Sequence, residues 1–299
     1  MEAPRLKLEI SFLDLFLCSA FAACFAEFCT LPLDTAKVRL QLQRKNGATG
    51  TELPKYDGLF GTILTIAKEE GIPALWDGLT AGLQRQFIYG GLRIGLYEPV
   101  KTLLVGRDFS GHVSLYQKVL AGLLTGAFAI IVANPTDLVK VRLQAEGRLL
   151  SGIPRRYSGT LNAYMTIVRQ EGLGALWIGL GPNIARNAII NAAELASYDH
   201  IKQMILQVFR LMDNVFTHLL AGIGAGFFAV CLGSPIDVVK SRMMGDLSYK
   251  NTLDCIIKTL SNEGILAFYK GFFTNFCRLG SWNVIMFLTL EQVKSLFMR

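Results

Sequence analysis

The sequence predicts an all-α membrane protein: six transmembrane helices in three pseudo-threefold repeats, with short amphipathic helices on the loop side. Hydrophobic residues make up 52% of the 299, and mean hydropathy is +0.38, above what soluble domains show. Uncharged apolar runs lie between Lys118 and Asp137 and between Asp213 and Asp237, each long enough for the roughly 20 residues of helix that cross a bilayer. A motif also occurs three times: Pro32-Leu-Asp34-Thr-Ala-Lys37-Val-Arg39, Pro135-Thr-Asp137-Leu-Val-Lys140-Val-Arg142 and Pro235-Ile-Asp237-Val-Val-Lys240-Ser-Arg242. The period is about 100 residues.

The repeats read as residues 1–110, 111–210 and 211–299. Each begins with an apolar span ending in the Pro-Asp-Lys motif. Small residues four apart on that span (Ser19 and Ala23, Gly122 and Gly126, Gly222 and Gly226) predict close helix packing. A polar loop follows; these loops carry Arg44, Lys45, Lys55, Arg148, Arg155, Arg156 and Lys250, which puts them on the positive-inside face and both termini on the other. Next come Glu70-Gly71 with Trp76 and Gly78, Glu171-Gly172 with Trp177 and Gly179, and Glu263-Gly264 with Tyr269 and Gly271, with a short amphipathic stretch expected after each Glu-Gly. The second span closes the repeat with Tyr97-Glu98-Pro-Val-Lys101, Tyr198-Asp199-His-Ile-Lys202 or Leu290-Glu291-Gln-Val-Lys294. Six spans are expected near 12–42, 78–103, 116–145, 180–206, 214–244 and 272–297.

Other classes fit poorly. The net charge of +7 is spread through apolar helices rather than gathered in a stripe with stacking aromatics, so no nucleic-acid partner is expected. The cysteines at 18, 24, 29, 231, 255 and 277 include no C-x-x-C pair and no histidine at metal spacing, so no metal site is expected. His112, His200 and His218 are isolated, and neither a phosphate loop nor a triad is present, so neither an enzyme nor a catalytic residue is expected. The segment from Met1 to Asp14 contains Glu2, Glu9 and Asp14 and reads as no removable leader.

The threefold Pro-x-Asp-x-x-Lys-x-Arg, with Glu-Gly and an aromatic-x-Gly, resembles the mitochondrial carrier family across essentially the whole chain. Within it, Gly82-Leu-Gln-Arg85-Gln, Arg93-Ile-Gly-Leu-Tyr97, Val132-Ala-Asn-Pro135 through Gln144, and Gly280-Ser-Trp282-Asn-Val-Ile-Met-Phe resemble the uncoupling protein subfamily, particularly its plant members. Dicarboxylate and oxoglutarate carriers are less close. Adenine nucleotide exchangers carry an Arg-Arg-Arg-Met-Met-Met run where this chain has Lys240-Ser-Arg-Met-Met-Gly245, and an EF-hand loop is missing. The resemblance implies a multi-pass protein of the mitochondrial inner membrane with both termini towards the intermembrane space. It implies a functional monomer in contact with lipid, cardiolipin among it, and no cofactor. Asp77 and Ile178 stand where the family usually has Lys or Arg, and Leu290 where it usually has an aromatic.

An acid and a base three residues apart share a helix face, and a proline can bend each helix so that three ends converge. Asp34, Asp137 and Asp237 can then pair with the lysine of the next unit among Lys37, Lys140 and Lys240, closing a loop-side, or matrix, gate. Glu98, Asp199 and Glu291 with Lys101, Lys202 and Lys294 form the second, cytoplasmic gate. If only one ring closes at a time, a ligand bound between them selects which, giving alternating access. The family's bracing glutamine corresponds to Gln41 and Gln144, with Met244 in the third unit.

Arg85, Arg186 and Arg278 each lie seven residues after the motif glycine and 13 before the second gate's acid, so they share one depth, roughly 20 Å below that gate at about 1.5 Å per residue. Unpaired arginine in hydrocarbon costs several kcal/mol, so three at one level imply a water-lined site for carboxylate or phosphate. Their orientation into the cavity is implied by the resemblance. Arg93 follows Arg85 by eight residues, and Glu194 holds the same offset from Arg186. By resemblance, the three arginines with Glu194 and Trp282 would contribute to purine-nucleotide inhibition, and Arg186 with Asn187 to dicarboxylate contact. Two transport readings stand: proton leak activated by fatty acids and inhibited by purine nucleotides together with or instead of exchange of small organic anions; alternatively, strict antiport of dicarboxylates, acidic amino acids or phosphate without uncoupling. A non-transporting adaptor is disfavoured because all six gate pairs are present.

Overall fold

The computed structural model describes residues 12–43, 56–105, 115–146, 156–208, 215–246 and 248–297. Each repeat contains a long helix, a short one and a second long one: α1 (Phe12–Leu42), α2 (Gly58–Glu69) and α3 (Leu79–Val105); α4 (Leu115–Ala145), α5 (Thr160–Glu171) and α6 (Leu180–Val208); α7 (Val215–Gly245), α8 (Thr252–Glu263) and α9 (Phe272–Phe297). The long helices have 26 to 31 residues, hence about 39 to 46 Å at about 1.5 Å per residue, enough to cross a bilayer. The amphipathic helices α2, α5 and α8 precede each Glu-Gly rather than follow it; a 3₁₀ turn follows, at Ile72–Trp76, Leu173–Trp177 and Ile265–Tyr269. The chain reverses there on Gly71, Gly172 and Gly264, at φ of 90°, 87° and 82°, a conformation that glycine alone adopts without penalty.

The six long helices close into a ring in the order α1, α3, α4, α6, α7, α9, and the most extensive packing joins one repeat to the next: α3 on α4, α6 on α7, α9 on α1. Val119–Ala145 and Ala221–Gly245 are long and apolar enough to span a membrane by themselves. The other four carry inward charges, such as Glu27 and Asp34 on α1 and Arg186 on α6, which are buried. Large apolar side chains face out instead, with Phe21, Phe25 and Phe28 on α1, Phe128, Ile131 and Val132 on α4, and Phe227, Phe228 and Leu232 on α7 all exposed. An apolar exterior around a charged interior suits a lipid solvent.

Pro32, Pro135 and Pro235 lie inside α1, α4 and α7. Each lacks the N–H that would bind the carbonyl four residues back. Two of those carbonyls are claimed by the motif tryptophans: Trp76 Nε1 donates to the Phe28 carbonyl at 3.0 Å and Trp177 Nε1 to the Ile131 carbonyl at 2.9 Å. The tryptophan thereby ties each 3₁₀ turn to the proline break. The main apolar core lies below these breaks, with Val38, Leu42, Leu138, Val139, Leu143 and Met244 at its centre.

The two glycine pairs do not pack as the sequence predicts. A Cβ on Gly122, Gly126, Gly222 or Gly226 would meet nothing within 4 Å. Close approaches fall on other glycines: a Cβ on Gly233 would lie 2.6 Å from Ile190, and one on Gly245 2.8 Å from Leu42. Gly224 also approaches Ile201 of α6, at 3.0 Å for an added Cβ, so spacing alone marks small surfaces without saying which are in contact.

Candidate functional site

Below the proline breaks the loop-side ring is closed. Lys37 Nζ lies 2.5 Å from Asp237 Oδ2, Lys140 Nζ 2.5 Å from Asp34 Oδ2, and Lys240 Nζ 3.2 Å from Asp137 Oδ2, so each aspartate meets the lysine of the next unit. Gln41 Nε2 donates to Asp237 at 3.1 Å and Gln144 Nε2 to Asp34 at 3.4 Å. The pair with Met244 in place of glutamine is the longest of the three. Asn183 braces it from α6 instead, donating to Asp137 Oδ2 at 2.9 Å.

The three central arginines rest on this ring. Arg85 Nε is 2.5 Å from Asp137 Oδ1, Arg186 Nε 2.6 Å from Asp237 Oδ1, and Arg278 Nε 3.1 Å from Asp34 Oδ1. They are therefore not unpaired at mid-depth, as the sequence spacing suggests: a buried guanidinium takes the nearest carboxylate, and each gate aspartate has a second oxygen to offer. The arginine side chains keep 19%, 11% and 15% exposure.

The terminus-side ring is different. Lys101 bonds Glu98 on its own helix at 2.8 Å, and Glu98 and Glu291 are exposed. The side chains of Asp199 and Lys294 lie outside the described residues, and Lys202 is half-buried. Among the described residues, the loop-side ring is closed between repeats, whereas Lys101 on the terminus side pairs within its own helix.

Mitochondrial carrier protein is the family that matches, over residues 8–108, 111–209 and 212–299. The chain belongs to the mitochondrial carrier protein family. Its relatives include mitochondrial uncoupling protein 2 of Arabidopsis thaliana, 72% identical over 98% of this chain and 96% of the relative. Mitochondrial uncoupling protein 1 of the same plant is 68% identical over 96% and 94%. The putative mitochondrial transporter UCP3 of Homo sapiens is 50% identical over 95% and 92%. This carrier is of the uncoupling protein type.

Two of the carrier's remaining candidate residues, Arg93 and Asn187, meet in a cavity of about 310 Å³ between α3, α4 and α6, lined also by Tyr89, Gly122, Gly126 and Asn191 among others. The Tyr89 ring lies between two guanidinium groups, 5.2 Å from Arg85 and 5.9 Å from Arg93, so these two arginines do share a face. Asn187 is tied to Asn183 on its own helix, donating to that residue's carbonyl at 2.9 Å. Glu194 is half-buried within electrostatic reach of Arg93, and Trp282 is half-buried on α9.

Sequence reasoning missed two features. The motif arginines Arg39, Arg142 and Arg242 each form a forked pair with the glutamate of the Glu-Gly motif, Glu70, Glu171 and Glu263 respectively. Each also donates through Nε to a carbonyl of the next unit, at Gln144, Met244 and Gln41, at 3.0, 3.2 and 3.1 Å. A tier of three forked ion pairs thus underlies the gate and locks the repeats in a cycle. The threefold recurrence of both residues was the available signal. Glu27 on α1 is the other omission: it is 3% exposed, and its Oε1 lies 2.6 Å from Lys140 Nζ. It occurs in one repeat only, so repeat comparison passes over it.

Proposed function

We propose that this carrier moves small organic anions across the mitochondrial inner membrane by alternating access, and that the same cavity supports a proton leak activated by fatty acids and inhibited by purine nucleotides. The observation that carries the reading is the sharing of each gate aspartate between a lysine and a central arginine. A carboxylate or phosphate entering from the open end finds three guanidinium forks at one level. Drawing the guanidinium groups onto the anion takes Nε from aspartate Oδ1, leaving each gate aspartate held by its lysine and brace. The charge-assisted hydrogen bond from Arg186 to Asp237 is worth about 1.5–3 kcal/mol, so an anion that takes it, together with the ion pairs of Arg85 and Arg278, weakens the closed ring while it binds. A ligand shifts a two-state equilibrium only by such a difference in affinity between the states.

The basic loops support the orientation in which the closed end faces the matrix and both termini face the intermembrane space. Exposed apolar residues on α2, α5 and α8, among them Phe60, Leu161 and Leu253, support contact with lipid at that face, cardiolipin included. Cyclic contacts that close the ring within one chain support a functional monomer. The identity to uncoupling proteins favours this reading over strict antiport.

The test is uptake of radiolabelled malate, aspartate and phosphate into liposomes holding the purified carrier, alongside proton flux with and without fatty acid and GTP. Arg186-dependent exchange together with GTP-sensitive proton flux is expected. Exchange with no fatty-acid-dependent proton flux would reduce the protein to an antiporter, and loss of neither activity in Arg186→Ala would sink the shared-arginine mechanism.

A further inference from the structure

The floor formed by the closed gate and the three arginines resting on it is not electrically symmetric. It holds six cations, Lys37, Lys140, Lys240, Arg85, Arg186 and Arg278, against the three gate aspartates and one further carboxylate, Glu27. Beneath it, Arg39, Arg142 and Arg242 each pair with a glutamate, Glu70, Glu171 and Glu263, the last two of which also meet Arg156 and Lys270. Six cations against four carboxylates leave the floor two positive charges in excess.

Glu27 is built into that floor. Lys140 Nζ donates to Glu27 Oε1 at 2.6 Å while also reaching Asp34 at 2.5 Å, and Gln86 Nε2 donates to Glu27 Oε2 at 2.9 Å. With donors on both of its oxygens, the group is held as a carboxylate rather than a carboxylic acid. Gly82 makes room for it: a Cβ there would lie 3.1 Å from Oε1. The positions seven residues before the other gate aspartates hold Ile130 and Val230. Glu27 alone therefore lowers the floor from an excess of three charges, one per arginine, to two.

We infer that Glu27 is a specificity-determining residue that sets the charge of the transported anion, matching the site to a dianion. This rests on the anion-carrier reading above. A bound dianion leaves the floor neutral, so the occupied site is closed off from water between the gates without an uncompensated charge, whereas a trianion leaves one negative charge over. Without Glu27 the match moves to a trianion.

The test is exchange in proteoliposomes with radiolabelled malate as dianion and fully ionised citrate as trianion, on wild type, Glu27→Gln and Glu27→Asp. Comparing the citrate-to-malate ratio between variants cancels the difference in size between the two anions. Glu27→Gln is expected to raise the ratio about tenfold, equivalent to ~1.4 kcal/mol, and Glu27→Asp to keep the wild-type ratio. An unchanged ratio in Glu27→Gln overturns the inference, as does a ratio raised equally in Glu27→Asp. Should Glu27→Gln fold but transport nothing, thermal stabilisation of the purified variant by each anion decides in the same way: stronger stabilisation by citrate than by malate supports the assignment, and the wild-type order overturns it. Wild type that exchanges neither anion sinks the anion-carrier reading itself, a result distinct from any failure of Glu27.

Discussion

Exchanging the partners of one gate pair separates a simple salt bridge from the three-way contact seen here. In the double variant Lys37→Asp with Asp237→Lys, the ammonium and carboxylate trade places. A plain ion pair would be restored, and Gln41 could rotate to offer its amide oxygen to the new lysine. Asp237, however, also holds Arg186 at 2.6 Å. The lysine at position 237 would face that guanidinium, and two like charges about 4 Å apart at an effective dielectric near 20 repel by roughly 4 kcal/mol. At ~2 °C per kcal/mol, the swapped protein should unfold ~8 °C below wild type in detergent. Adding Arg186→Glu should recover most of that loss while abolishing anion exchange. The assay is thermal unfolding of the purified carrier, paired with uptake in liposomes. A double variant with wild-type unfolding temperature and full exchange would refute the shared aspartate.

Two further outcomes follow from the same geometry. Burial disfavours the Glu263 carboxylate, yet hydrogen bonds from Arg242 and Lys270 outweigh this and hold its pKa below the ordinary carboxylate range. Its contribution to stability is therefore present above the unfolded-state value of about 4.3 and is lost as pH falls through the lower folded-state value; Glu263→Gln should flatten the acid limb of a stability-against-pH curve, and an unaltered limb would contradict the pairing. Gly126 faces open space in this state, so Gly126→Leu should leave the unfolding temperature within ~2 °C of wild type, as a surface change of at most ~0.5 kcal/mol does. If α4 must approach its neighbours when the terminus side closes, the same variant should cut exchange at least about tenfold, and full exchange would contradict that closure.

Much of this was legible in the sequence because the chain states it three times. The six spans lie within three residues of their expected ends, since apolar length and the proline and glycine punctuation fix them locally. The gate partners were legible because acid and base keep one spacing in every repeat. What failed was whatever depends on conformational state or on a single repeat. The Gly122 and Gly126 pair reads as a packing surface, and it is one only where helices converge. The arginines read as free ligands because a linear sequence gives their depth but not the reach of a long side chain towards a carboxylate on the next helix pair. Glu27 has no counterpart among Ile130 and Val230, so averaging over repeats hid it. The Trp76 and Trp177 bonds depend on a carbonyl orphaned by a proline more than 40 residues earlier, a relation that only the folded chain exposes.

The claim at the centre of this account is that a transported anion competes with the gate aspartates for the three arginines. Malate binding to the purified Asp237→Asn carrier measures that competition directly, since the variant frees Arg186 from its internal carboxylate. The account predicts binding about tenfold tighter than wild type, in line with the loss of a competitor worth about 1.5–3 kcal/mol. Folded Asp237→Asn protein that binds malate no more tightly than wild type would contradict it.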